Sequence, residues 1–218
     1  MKTYMRKPVQ AGFTVVELLV VITIIALLFA LTIGAFTYAQ RSAARSRTTV
    51  AMNAIKSGLE RYSTEFGEYP TPQNAGDTIA VGNKTYEVGA AAMLYQVLSG
   101  DGYDNIAIAE PPVDAGPASS NGSIDENESK YVMITDMPKE IYVYESTSNR
   151  GYMVDGFGKP FQYEKANPAN SGAGVNTVNP TYDLWSYGED EENITARSID
   201  TLNAGPVKDA SQKWIKNW

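Results

Sequence analysis

Residues 18–40 carry no charged side chain, an uninterrupted run of 23 positions. A helix rises about 1.5 Å per residue, so the run reaches about 34 Å, enough for a bilayer core of about 30 Å. Glu17 stands immediately ahead of it. A carboxylate at the head of a membrane helix is costly unless it reaches the interface or finds a partner. Glu17 is therefore a candidate functional residue.

A short leader with Lys2, Arg6 and Lys7 leads into Gly12-Phe13-Thr14-Val15-Val16-Glu17. These residues resemble the class III signal of the type IV pilin superfamily, in which a basic leader ends in Gly, Phe follows, and the fifth mature residue is Glu. The resemblance implies cleavage between Gly12 and Phe13 by a prepilin peptidase, N-methylation of Phe13, and assembly of the helices into a filament. Glu17 is then expected to pair with the Phe13 amine of a neighbouring subunit. At low dielectric that attraction is strong, which favours one axial register. The competing reading is a signal anchor with an acid at its edge. A secretory signal fits worse, because the run is too long and no A-x-A-like site closes it. Arg41, Arg45 and Arg47 follow the run and balance the three leader cations, so the positive-inside rule does not orient the helix. The resemblance puts the leader in the cytoplasm.

The 218 residues suffice for a membrane helix and one globular domain. There is no cysteine and no histidine, which removes disulfides, thiol chemistry, the commonest general base and the usual zinc ligand. The formal charge is −7, and loss of the three leader cations takes it to −10. Such a chain is a poor partner for nucleic acid. No spacing points to an enzyme.

Residues 13–66 read as one helix without Pro, and its only glycines are Gly34 and Gly58. Beyond residue 40 the pattern becomes amphipathic, with Ala51, Ile55, Leu59, Tyr62 and Phe66 on one face. Gly67 and Pro70 stop it. Residues 71–83 read as a loop, and 89–98 as a short helix stopped at Gly100. Residues 101–129 read as a long surface loop in which Asp101-Gly102-Tyr103-Asp104 and Asp125-Glu126-Asn127-Glu128 are solvated. Strands are expected at 131–135, 141–145, 152–154, 161–164 and 182–187. The expected fold class is α+β: a long N-terminal helix, transmembrane in its first half and amphipathic in its second, packed on a small antiparallel sheet. The domain plan is a cleaved leader at 1–12, a transmembrane or filament-core helix at 13–40, and a periplasmic domain at 41–218. That domain includes a variable insertion at 67–150 and a C-terminal loop at 188–218.

Three further segments narrow the resemblance. Asp155-Gly156-Phe157-Gly158-Lys159-Pro160-Phe161-Gln162-Tyr163 is similar to the Asp-x-Trp-Gly-x-Pro-Tyr-x-Tyr segment of the major pseudopilin of type II secretion systems. Tyr182-Asp183-Leu184-Trp185-Ser186-Tyr187-Gly188-Glu189-Asp190 is similar to its Asp-Leu-Tyr-Ser-x-Gly-x-Asp segment, and Trp214-Ile215-Lys216-Asn217-Trp218 to its Asn-Trp ending. Phe157 stands where that family has Trp, and the chain between helix and sheet is longer. The resemblance implies Ca²⁺ in the loop after the last strand, held by oxygen ligands. Asp190 would supply one carboxylate and Tyr187 a backbone carbonyl. Asp200, with Asp209 as competitor, would supply the second carboxylate. The alternative is a solvated acidic turn.

Three functions stay open. The first is a structural subunit of a type II secretion pseudopilus, a single-pass inner-membrane precursor with its C-terminal domain in the periplasm. Its partners would be copies of itself, minor pseudopilins, the prepilin peptidase and an inner-membrane assembly platform. The second is a type IV pilus subunit for adhesion, motility or DNA uptake. The third is a membrane-tethered ligand-binding module.

Overall fold

The computed structural model describes residues 12, 14–72, 76–102, 120–126, 128–167 and 175–218. The chain divides into two units, 1–42 and 43–218. The leader lies outside the described residues except for Gly12, and so does most of the expected 101–129 loop.

Helix α1 runs Val15–Phe66 and is long and apolar enough to cross a membrane. In the first unit its large apolar side chains, Val15 through Tyr38, are all exposed, as suits a surface covered by lipid or by other helices. Thr23 and Thr32 return their hydroxyls to the carbonyls of Leu19 and Leu28 at 2.8 and 2.7 Å, which satisfies them within the helix. The helix ends at Gly67, whose φ of +79° is the left-handed stop that glycine adopts without strain.

In the second unit the amphipathic half of α1 buries the expected face. Ala51, Ile55, Leu59 and Tyr62 are in the core and Phe66 packs against it. Helix α2 (Gly89–Ser99) is buried along nearly its whole length and stops at Gly100, φ +88°. Gly58 lets α1 approach α2: a Cβ there would meet Leu98 Cδ2 at 2.7 Å. Gly151 does the same for the ring of Tyr95.

Among the described residues the strands form three small antiparallel sheets rather than one. Hairpin β1 (Thr78–Val81) and β2 (Lys84–Glu87) turns through Gly82 and Asn83, inside the segment expected to be a loop. Hairpin β3 (Tyr142–Glu145) and β4 (Arg150–Met153) lies against α2. The third sheet has the order β5 (Gln162–Lys165), β6 (Tyr182–Ser186) and β7 (Ile215–Lys216). Strand β7 belongs to the C-terminal segment, where the sequence pattern predicts only a loop. A short helix α3 (Pro206–Ala210) precedes it. Phe161, Tyr163 and Leu184 bring the third sheet into the same core as α1 and α2.

Residues 131–135 are not a strand. A 3-10 turn at Ser129–Tyr131 leads into a segment where Met133 N and Ile134 N both donate to Leu98 O, at 3.1 and 2.9 Å. The end of α2 thus takes the donors that a neighbouring strand would have used. Asp101 and Glu128 are not solvated either; both are buried. Asp101 accepts from Tyr95 Oη at 2.8 Å and from the N–H groups of Asn121 and Gly122 at 2.9 and 3.0 Å. Glu128 accepts from Gly102 N at 2.7 Å and Asp125 N at 2.8 Å. Two buried carboxylates therefore tie Gly102, Asn121 and Gly122, on either side of 103–119, to the domain.

Candidate functional site

Two groups of residues carry the chemistry, one in each unit. In the first unit the helix begins immediately after Thr14. The Thr14 amide and hydroxyl both donate to Glu17 Oε2, at 2.9 and 2.8 Å. Glu17 N donates back to Thr14 Oγ1 at 3.2 Å. This is a capping box, and the Thr14-x-x-Glu17 spacing is its sequence signature, a second reading of Glu17 beside the pairing one. The carboxylate is thus held by its own helix N-terminus, where backbone donors and the macrodipole favour negative charge. Among the described residues nothing donates to its other oxygen, Oε1. Gly12 is exposed with open space around it, and Phe13 lies outside the described residues.

In the second unit the expected calcium loop is closed by protein groups. Tyr187 and Asp190 come together: Asp190 N donates to Tyr187 O at 2.9 Å. The Asp190 carboxylate receives the Trp214 indole N–H at 2.8 Å, Glu192 N at 3.0 Å, Asn193 N at 3.2 Å and the Asn193 amide at 3.1 Å. A carboxylate has about four acceptor sites, and these donors fill them. Burial works against its charge, but the indole and the turn N–H groups outweigh it and hold the carboxyl below its ordinary value. Asp200 accepts from Arg197 N at 2.8 Å and caps the 3-10 turn Ser198–Leu202. Asp209 lies in α3. Among the described residues no three carboxylates gather where a metal could sit. The donor set therefore does not fit a divalent cation: one carboxylate is saturated by nitrogen donors and the other caps a turn.

The turn that faces this loop explains the Asp-Gly-Phe-Gly-Lys segment. Asp155 is buried, and its Oδ1 accepts from Phe157 N at 2.8 Å and Lys159 N at 2.9 Å, folding the turn over its own side chain. Ser186 donates to Asp155 Oδ2 at 2.5 Å and accepts from Gly188 N at 2.9 Å, which ties β6 to the turn. Burial raises the Asp155 carboxyl above its ordinary value, against the pull of Ser186 and the turn amides. Gly156 N donates to Thr48 Oγ1 at 2.9 Å, which docks the turn on α1.

Beside β5 and β6 lies a cavity of about 670 Å³ whose lining includes Gln162, Glu164, Trp185 and Arg197. Several of its polar groups already hold partners, while the buried Trp185 indole N–H has none among the described residues. Glu164 pairs with Arg197 and receives the Asn176 amide at 3.1 Å, and the Gln162 amide donates to Glu87 O at 3.0 Å.

Residues 7–33 match the family model described as the prokaryotic N-terminal methylation motif. No curated protein and no solved structure matches the chain. The motif supports a type IV pilin-like precursor, processed by a prepilin peptidase and anchored by its N-terminal helix.

Proposed function

We propose that this chain is the structural subunit of a type II secretion pseudopilus, assembled from a membrane-inserted precursor and supporting protein export across the outer membrane. One observation carries the reading: a methylation motif over residues 7–33 includes Glu17 at the head of an apolar helix of membrane length. The pseudopilin assignment rests on the residues of the Asp155 turn, the β6 segment and the Trp218 end that resemble that family. Cleavage after Gly12 frees the Phe13 amine, and methylation leaves it cationic. Glu17 Oε1 then accepts that amine from an adjacent subunit, while Oε2 stays in its own capping box. The pair neutralises a charge that lipid disfavours and does so at one axial step. The subunit works by polymerising and does no chemistry of its own. The C-terminal domain lies in the periplasm.

The cavity beside β5 is the feature that favours a binding module instead. The Trp185 indole N–H there has no partner among the described residues, but Glu164, Arg197 and Gln162 already hold theirs, so a ligand that used them would have to break those contacts, and the filament reading stands ahead.

The test separates the two roles of Glu17. Glutamine keeps the capping box, since Gln serves at that position as Glu does, but removes the charge. Glu17→Gln and Glu17→Ala are expected to be cleaved ahead of Phe13 by mass spectrometry and to fail in filament assembly in cells. If Glu17→Gln assembles at the wild-type rate, Glu17 is only a cap and the pairing is wrong. Loss of the gene is expected to strand exported proteins in the periplasm. Long filaments in the sheared fraction of unmodified cells would move the assignment to a surface pilus.

A further inference from the structure

Lys159 is buried, a rare position for lysine unless its charge is compensated. Its ammonium donates to Gly188 O at 2.7 Å and to Asp190 O at 3.2 Å. It also lies 5.8 Å from the centroid of the buried Tyr86 ring, an aromatic face that attracts cations. Two carbonyls and a ring thus use its three N–H groups. The opposing charge comes from Asp155, four residues back, which accepts the Lys159 backbone N–H and attracts the ammonium through space. Backbone carbonyls of a loop with a carboxylate nearby are the ligands a hard divalent cation selects. Here the group among them is an ammonium on a four-carbon stem. The carboxylates of Asp190 and Asp200 are directed to Trp214, Asn193 and Arg197 instead.

We propose that Lys159 is the resident cation of the C-terminal loop: it performs the closure that a calcium ion would perform, and the folded domain needs no divalent metal. The Gly188 and Asp190 carbonyls accept from this lysine across the loop, so one ammonium gathers two backbone groups that the loop's own turns leave pointing inward. The inference is independent of the filament reading, since it concerns the second unit alone.

The test uses the full chain in detergent. Wild-type melting is expected to be the same in millimolar Ca²⁺ and in chelator, because a ligand that bound only the native state would raise the midpoint. Lys159→Met keeps the stem and removes the charge. Amide exchange at Asp190, Glu192 and Asn193 is expected to run at least about tenfold faster in that variant, since charged hydrogen bonds hold the turn closed. A midpoint that climbs with Ca²⁺ in the wild type would overturn the proposal. So would wild-type exchange protection in Lys159→Met. The wild-type titration decides the matter even if Lys159→Met does not fold.

Discussion

Gly156 and Gly158 flank Phe157 in one turn, yet they are glycine for different reasons, and alanine at each should separate them. A Cβ on Gly156 would lie 2.2 Å from Ala44 O and 2.9 Å from Ala44 C, in the backbone of α1. Helix backbone cannot rotate aside as a side chain can, so the turn itself has to withdraw. Withdrawal breaks the bond from Gly156 N to Thr48 Oγ1, at 2.9 Å, while Thr48 remains tied to Ala44 O at 2.8 Å. Overpacking costs about 1–3 kcal/mol and the lost hydrogen bond about 1 kcal/mol. Gly156→Ala is therefore expected to cost about 2–4 kcal/mol. At Gly158 nothing lies within 4 Å of a Cβ, but φ is +77°. Alanine there meets only the left-handed backbone penalty of about 1–2 kcal/mol. For a domain of this size each kcal/mol moves the midpoint by about 2–4 °C. Thermal melting of the full chain in detergent, followed by circular dichroism, should show Gly156→Ala well below Gly158→Ala. If Gly156→Ala is the milder of the two, α1 does not seat on the turn as described.

The remaining expectations concern the core and the loop. Gly151→Ala would drive a Cβ to 2.1 Å from Tyr95 Cε1, and Tyr95 is held by its bond to Asp101 at 2.8 Å. It should cost about 1–3 kcal/mol and show a coupling of at least about 0.5 kcal/mol with Tyr95→Ala in a double-mutant cycle; strict additivity would refute the contact. Asp190 is depressed below its ordinary 3.8, so its contribution is complete above that value and lost as pH falls through the folded pKa. The stability difference between wild type and Asp190→Asn should therefore be flat above about pH 5 and shrink below 3.8. A difference that widens as the pH falls would contradict the assigned sign. In size, Asp190→Asn turns an amide toward several N–H donors and should cost about 1–3 kcal/mol near neutral pH by melting.

Periodicity finds what local physics decides. The buried face of α1 follows from apolar residues spaced three and four apart, and the stops at Gly67 and Gly100 follow from glycine's access to positive φ. Hairpin β1–β2 escapes the pattern although Gly82-Asn83 between two four-residue runs is a hairpin signal, because Lys84, Thr85 and Glu87 dilute the alternation. Strand β7 is two residues long and exists only because β6 pairs with it, a contact about thirty residues away that no local pattern encodes. The strand expected at 131–135 has the composition for one. What overrides it is the carbonyl of Leu98, which takes two of its N–H groups.

The polar residues divide along the same line. A carboxylate or ammonium in a turn-rich stretch looks solvated in sequence, because what buries it is remote. Asp101 is fixed by Asn121 and Gly122, Glu128 by Gly102, and Lys159 by Gly188 and Asp190. In each case the acidic or basic side chain satisfies backbone groups of a loop that has no helix or sheet to do so. In a domain whose described sheets are small, buried ions stand in for missing ladder bonds. Glu17 differs from them in one respect. Its Oε2 satisfies its own helix terminus, while Oε1 takes no donor from the described residues. Asp101 and Glu128 engage both of their oxygens within the chain, whereas the local bonding of Glu17 leaves an acceptor over, at the end of a helix whose first half is otherwise apolar. An acceptor in that position offsets its desolvation by reaching the interface or, in the proposed filament, by taking the donor that a second molecule brings.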